Sequence, residues 1–308
     1  MYNILAIISS ILSMDKEDIL KFSKTSPYRY KVYQIPKRSS DEMRTIAQPS
    51  KELKFIQNIL KSSILEKILP IHSRAFAYKN NVSIKSNAYE HMNNEFLLKM
   101  DFKDFFPSIS PNLFMKECER NNIIFNSEEL NFLINLIFRK KYRNGGLELS
   151  IGAPTSPIIS NFIMYTFDEE IYKKCKEKEI TYTRYADDIT FSSNKRNVLF
   201  TIPNLVQSIL NEKYNNVIRI NSAKTVFSSK AHNRHVTGIT LTNNNSLSIG
   251  RERKRKIISA VHYYKLGRLD KDEIIKLKGY LSFAFYIEPN FKSMLINKYG
   301  IESIRSLL

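Results

Sequence analysis

Cysteine occurs only twice, at Cys118 and Cys175, and neither lies in a Cys-x-x-Cys pair. A zinc site and a disulfide framework are therefore not expected, and a reducing cytoplasm suits the chain. No apolar run approaches the roughly 20 residues needed to cross a bilayer. The apolar stretch from Ile4 to Leu12 has no basic lead-in and no small-residue cleavage site, so it does not read as a signal peptide. Ile4, Leu5, Ile8, Ile11 and Leu12 instead share one helical face, which predicts a packed helix. Internal repeats and true linkers are absent as well. Acidic charge is in deficit, with 30 Asp and Glu against 48 Lys and Arg, for a net +18. Such a charge repels itself unless a polyanion is near. Nucleic acid, held through its phosphates, is the natural partner, and a membrane surface the weaker alternative.

Hydrophobic residues make up 43% of the 308, enough for one large domain or two to three small subdomains with proper cores. Asp15 reads as the N-cap of a short helix carrying Ile19, Leu20 and Phe22. Residues 28–48 alternate like a hairpin, with a polar turn at Ser39, Ser40 and Asp41. Ser50 then caps a helix with Leu53, Ile56, Leu60, Ile64 and Ile68 on one side, ended by Pro70. Phe96 to Phe102 reads as a buried strand, 112–140 mostly as helix, and Ser156 to Lys174 as another helix. Ile180 to Ser193 reads as two short strands around a tight polar turn, followed by a helix near 198–213. Val217 to Ile220 and His235 to Leu241 are short strands, and everything after Arg251 reads as helix. Strands and helices are interspersed without a regular βαβ rhythm, so the fold class is α+β.

Three carboxylates stand out by context. Asp101 ends the apolar run from Phe96 to Met100. Asp187 and Asp188 sit together in Tyr185-Ala186-Asp187-Asp188 between two β-rich arms, Thr181-Tyr182-Thr183 and Ile189-Thr190-Phe191. Adjacent carboxylates raise one another's pKa unless a cation lies between them. A hard dication with oxygen ligands resolves that conflict, and Mg²⁺ is the usual choice beside phosphates. Nucleotidyl transfer with two metals needs such a set, one metal at the attacking 3′-hydroxyl and one at the leaving pyrophosphate. The plain alternative is a hairpin turn, where Asp is common.

These residues resemble the reverse transcriptase family over roughly residues 28–300, with the motifs in the family's order. Asp101-Phe102-Lys103-Asp104-Phe105-Phe106 resembles the first palm motif and Tyr185-Ala186-Asp187-Asp188 the second. The resemblance implies a right-hand polymerase: an N-terminal helical extension (1–27), fingers (28–100), a palm of antiparallel sheet with helices (101–242) and a helical thumb (243–308). It implies Asp101 and Asp187 as the main ligands of two Mg²⁺ ions, Asp188 completing the site, and Phe106 as a steric gate against a 2′-hydroxyl. Gly152-Ala153-Pro154-Thr155-Ser156-Pro157 resembles the motif that opens the helix under template and nucleotide. A helix N-terminus there offers free amides to an anion. The family usually has Gln before that Gly, and here it is Ile151. Lys37 and Arg44 match the finger residues that grip the triphosphate, with two solvated charges as the alternative. Lys224 matches the palm lysine that protonates the leaving pyrophosphate, a role open to a lysine acid. A solvated surface lysine is its alternative.

Two further motifs resemble the retron class. Asn87-Ala88-Tyr89-Glu90-His91 fits its Asn-Ala-x-x-His motif, and Val236-Thr237-Gly238 its Val-Thr-Gly motif. Taken alone, the first reads as a structural histidine and the second as a strand with a glycine bulge. In the expected thumb, Arg251, Arg253, Lys254, Arg255 and Lys256 suit backbone contacts to a duplex. Tyr263 and Tyr264, beside Lys265 and Arg268, suit RNA stacking. The class implies a cognate structured noncoding RNA as template and primer, dNTPs, a branched RNA–DNA product, and a separately encoded effector in antiphage defence. A group II intron-like or other bacterial reverse transcriptase, and a non-catalytic RNA-binding module with the same fold, stay open at this point.

Overall fold

The computed structural model describes residues 3–36, 42–142 and 145–308. Lys37 and the expected turn at Ser39, Ser40 and Asp41 lie outside the described residues.

Helices α1 (Ile4–Leu12) and α2 (Lys16–Thr25) lead into an antiparallel hairpin, β1 (Tyr30–Pro36) with β2 (Met43–Pro49). In α1 only Ile4, Leu5 and Ile8 are buried. Ile11 is 49% exposed, while Leu12 beside it is partly buried against the larger core. The Ser50 side chain accepts from the Leu53 amide and starts α3 (Lys51–Leu60), a cap worth about 1 kcal/mol. A π-helical stretch (Lys61–Leu65) and a last turn carry the helix on to Ile68. Leu53, Ile56, Leu60 and Ile64 are buried on one side. Ser83 and Ser86 form a reciprocal capping box that starts α4 (Ile84–His91).

The central strand is β3 (Phe96–Lys103). Successive side chains of a strand point to opposite faces. Leu98, Met100 and Phe102 enter the larger core, while Leu97 joins a second, smaller one. Asp101 and Lys99 therefore stand on the Leu97 face.

The region expected to be mostly helix over 112–140 holds two helices, α5 (Pro111–Arg120) and α6 (Ser127–Ile137), followed by a small hairpin of β4 (Phe138–Lys140) and β5 (Leu147–Leu149). The Asn126 side chain caps α6 afresh by accepting from the Glu129 amide. The helix expected over 156–174 breaks at Met164 into α7 (Ser156–Ile163) and α8 (Tyr165–Glu177). The hairpin of β6 (Thr181–Tyr185) and β7 (Asp188–Ser193) then joins β3, with β7 alongside it.

Helix α9 (Ile202–Tyr214) packs against α8. Strands β8 (Arg219–Ile220) and β9 (Val226–Ser229) both pair antiparallel with β3. The stretch expected as one strand over 235–241 is a hairpin, β10 (Arg234–Val236) and β11 (Ile239–Leu241), extended by β12 (Leu247–Ser248). Thr237 and Gly238, at φ 47° and 78°, make its turn, so the Val-Thr-Gly motif is a reversal of direction and not a bulge.

Helices α10 (Arg251–Lys265), α11 (Lys271–Ile287), α12 (Pro289–Tyr299) and α13 (Ile301–Arg305) complete the chain. Their apolar faces close the second core with Ala88, Leu97, Val236 and Ile239. The expected boundary between residues 100 and 101 falls inside β3. Among the described residues no helix is long and apolar enough to cross a membrane.

Candidate active site and nucleic-acid interface

Strand pairing brings distant carboxylates together. Asp101 of β3 lies directly opposite Asp188 of β7. The Phe102 amide donates to the Asp187 carbonyl at 3.1 Å, locking the turn onto β3. Like charges facing across an antiparallel pair are destabilising. Desolvation, reinforced by Asp187 and Asp101, raises the Asp188 pKa to about 6. Asp187 is raised as well, by desolvation and then by Asp101.

Among the described residues, Asp101 is the one of the three with a cation at salt-bridge distance. Lys224 Nζ donates to its Oδ2 at 3.0 Å. Burial is the largest single influence on Lys224 and opposes its charge, but the bond to Asp101 together with the charges of Asp101, Asp187 and Asp188 raises the lysine's pKa overall. Asn221 donates its backbone amide to the Asp101 carbonyl at 2.7 Å and its side-chain amide to Oδ1 at 3.4 Å.

The donor set fits a hard divalent cation: three carboxylates gathered by one sheet, two of them with pKa values raised by desolvation and then by the neighbouring carboxylates. Among the described residues no three His, Cys, Asp or Glu side chains are grouped tightly enough to hold a metal by themselves.

Other expected residues are placed as follows in the fold. Arg44, exposed on β2, acts on Asp187 through its charge. Phe106 is half-buried, packed edge-on to Phe105 at 5.6 Å. Gly152 has φ 125°, and a Cβ there would sit 3.2 Å from the Ala47 carbonyl oxygen, so glycine is required where the loop backs onto β2. The Ile151 carbonyl accepts from the Ala47 amide at 2.9 Å, so this position ties the loop to the hairpin through its backbone. Ala153 is buried and Pro154 half-buried just before α7.

Sequence reading missed three neighbours. Tyr78, at φ 57°, meets the Phe106 ring edge-on at 6.5 Å. Burial and the Asp187 charge raise its pKa. Lys99 stands two residues before Asp101 on the same face, with Nζ 2.9 Å from His235 Nε2. Arg184, immediately before Tyr185, is wholly buried with Asp168. A charged residue at an inward position of a buried strand was the available signal for it.

The expected RNA contacts need correction. Asn87, His91 and Val236 are buried and present no side chain to a ligand. His91 bridges Ser192 Oγ and Thr183 Oγ1, each at 2.7 Å, and burial lowers its pKa to about 3. Thr237 Oγ1 donates to the Ile84 carbonyl, so the two motifs meet each other across α4 and the β10–β11 turn. Arg253 donates to the Gly238 carbonyl at 2.9 Å. Lys254 pairs with Glu288, and Lys256 with Glu252 at 2.7 Å. Arg251, Arg255 and Tyr263 remain exposed, while half-buried Tyr264 turns its hydroxyl to Ser306.

A three-carboxylate floor on an antiparallel sheet, flanked by helices, describes a nucleic acid polymerase, and comparison places it more closely. Residues 35–241 match the family described as reverse transcriptase (RNA-dependent DNA polymerase), and the chain belongs to that family. Within it, relatives include several retron enzymes. The chain is 46% identical over 292 residues to the Retron Ec83 reverse transcriptase of Escherichia coli, covering 94% of this chain and 93% of that one. It is 32% identical to the Retron Ec86 reverse transcriptase of Escherichia coli, covering 90% and 84%. Among solved structures, telomerase from Candida albicans, in complex with a fragment of telomeric RNA, superposes with a TM-score of 0.55 at 13% identity. That match covers 94% of this chain and 58% of the telomerase chain, and it speaks for the fold alone. The chain is thus an RNA-directed DNA polymerase of the retron kind, with a mixed fold of helices and antiparallel sheets.

Proposed function

We propose that this enzyme copies part of a cognate structured noncoding RNA into DNA, priming from an internal RNA 2′-hydroxyl to leave a branched RNA–DNA molecule. The observation that carries the reading is the cross-strand placement of Asp101 opposite Asp188, with Asp187 beside it at the turn. Two Mg²⁺ ions, when bound, would activate the attacking hydroxyl and stabilise the leaving pyrophosphate. Asp101 and Asp187 are the main ligands and Asp188 completes the set. Lys224, already hydrogen-bonded to Asp101, is placed to give a proton to the departing pyrophosphate.

Arg44 and Lys37 serve the triphosphate, and the Gly152–Pro154 loop and Phe106 form the nucleotide pocket, with Phe106 excluding a ribose 2′-hydroxyl. Residues 28–100 act as fingers, 101–242 as palm and 243–308 as thumb. Of the thumb side chains expected at RNA, Arg251, Arg255 and Tyr263 are exposed and would meet it. Asn87, Val236, Thr237 and Gly238 serve RNA indirectly, by fixing the small sheet against α4, while His91 ties α4 to the β6–β7 hairpin. In the cytoplasm, with a separately encoded effector, the enzyme would act in defence against phage.

The test is to sequence the nucleic acid that copurifies with the wild type and with an Asp187→Ala, Asp188→Ala variant. A discrete RNA joined to complementary DNA on the wild type, and RNA alone on the variant, supports the reading. No DNA on the wild type, and no primer extension with Mg²⁺ and dNTPs, would overturn it.

A further inference from the structure

A fully buried ion pair lies directly behind the catalytic turn. Arg184 of β6 and Asp168 of α8 are both 0% exposed. The pair is bidentate: Arg184 Nε donates to Asp168 Oδ1 at 2.8 Å and Nη2 to Oδ2 at 2.6 Å. Tyr182 adds a third donor to Asp168 Oδ1 at 2.6 Å. Replacing such a pair by apolar residues of similar volume is often neutral or stabilising, so stability alone is a weak reason for it.

The remaining guanidinium nitrogen faces the site. Nη1 donates to the Ala186 carbonyl and to Asn161 Oδ1, both at 3.1 Å. Ala186 is the residue before Asp187 and sits at φ 57°, a left-handed conformation that costs a non-glycine residue free energy and persists only when its surroundings hold it. Asn161 in turn donates to the Ala77 carbonyl at 2.8 Å, beside Tyr78, whose ring meets Phe106. The Arg184 backbone joins the same segment: its amide donates to the Arg74 carbonyl at 2.9 Å, and its carbonyl accepts from Phe76 at 2.8 Å.

We propose that Arg184, held in one orientation by Asp168, is a positioning residue for the reaction: its Nη1 fixes the Ala186 carbonyl, and so the Asp187 carboxylate, and through Asn161 sets Tyr78 against Phe106. Arginine suits this because its planar fork serves a carboxylate and still presents a third nitrogen, which lysine cannot do. The proposal rests on Asp187 acting in catalysis.

Three variants separate positioning from stability. Arg184→Lys keeps the charge and loses the fork. Tyr182→Phe removes a hydrogen bond to Asp168 and none to the turn. The double variant Arg184→Met, Asp168→Leu removes both charges together. Primer extension gives kcat, the KM for dNTP and the Mg²⁺ concentration for half-maximal rate, alongside thermal unfolding and RNA affinity.

Arg184→Lys is expected to lower kcat by about 100-fold, the scale of a 1 Å misplacement, and to raise the Mg²⁺ requirement, with RNA affinity unchanged. Tyr182→Phe is expected to lower the unfolding temperature and keep the wild-type kcat. The double variant is expected to regain stability but not kcat. Equal losses of kcat in Arg184→Lys and Tyr182→Phe, or a wild-type kcat in either Arg184 variant, would show a structural pair only. An active Asp187→Asn enzyme would instead remove the assignment of Asp187 on which the proposal rests.

Discussion

At the scale of single residues, the site is a conflict of charge held in place by hydrogen bonds. Asp188 illustrates its sign. Its pKa is about 6 in the folded protein against 3.8 for the ordinary side chain. Between those values the folded state binds the proton more tightly, so stability falls as pH rises through this window, and the full penalty is present above about pH 6. Asp188→Asn should therefore stabilise metal-free protein at pH 7.5, by roughly 1 kcal/mol once solvent screening of this exposed group is allowed for. The gain should vanish near pH 4. Thermal unfolding in a chelator at the two pH values checks this, and an equal gain at both would contradict it. The same electrostatics predicts a rising Mg²⁺ requirement as the pH of the assay drops toward 6.

At the scale of elements, motif order was legible and motif role was not. Asp101, Asp187 and Asp188 could be singled out because carboxylates ending or joining apolar strands are conspicuous. The hairpin over residues 30–49, the Ser50 cap and the β3 strand were legible for the same local reasons. The breaks at Met164 and after Arg120 were not, because apolar spacing continues across them. His91 marks the limit of motif reading: expected at RNA, it is a buried link between α4 and the β6–β7 hairpin. His91→Ala should cost about 2–4 kcal/mol, from a cavity and two hydroxyls left without their partner. RNA affinity per folded molecule should be unchanged. Thermal unfolding and a filter-binding titration measure the two, and a loss of affinity in fully folded variant would restore a direct RNA role.

At the scale of the whole molecule, the net +18 is the dominant long-range property. RNA affinity should fall by about 10³-fold or more between 50 and 200 mM salt, as released counterions demand. Replacing exposed Arg251 and Arg255 with Ala should flatten that slope by about two, while Lys254→Ala should act mainly on stability through Glu288. Binding measured across a salt series distinguishes these, and a flat response in the wild type would rule out phosphate contacts as the basis of binding.

By itself the sequence determined composition, charge, the local elements and the identity of the carboxylates, because each depends on neighbours a few residues away. The tertiary structure decided which residues face one another. It set Asp101 opposite Asp188, placed Lys224 on Asp101, and put Tyr78 on Phe106. It also buried Arg184 with Asp168 behind the turn. Those pairings span from 16 to 123 residues of chain, and only strand register and helix packing bring them together.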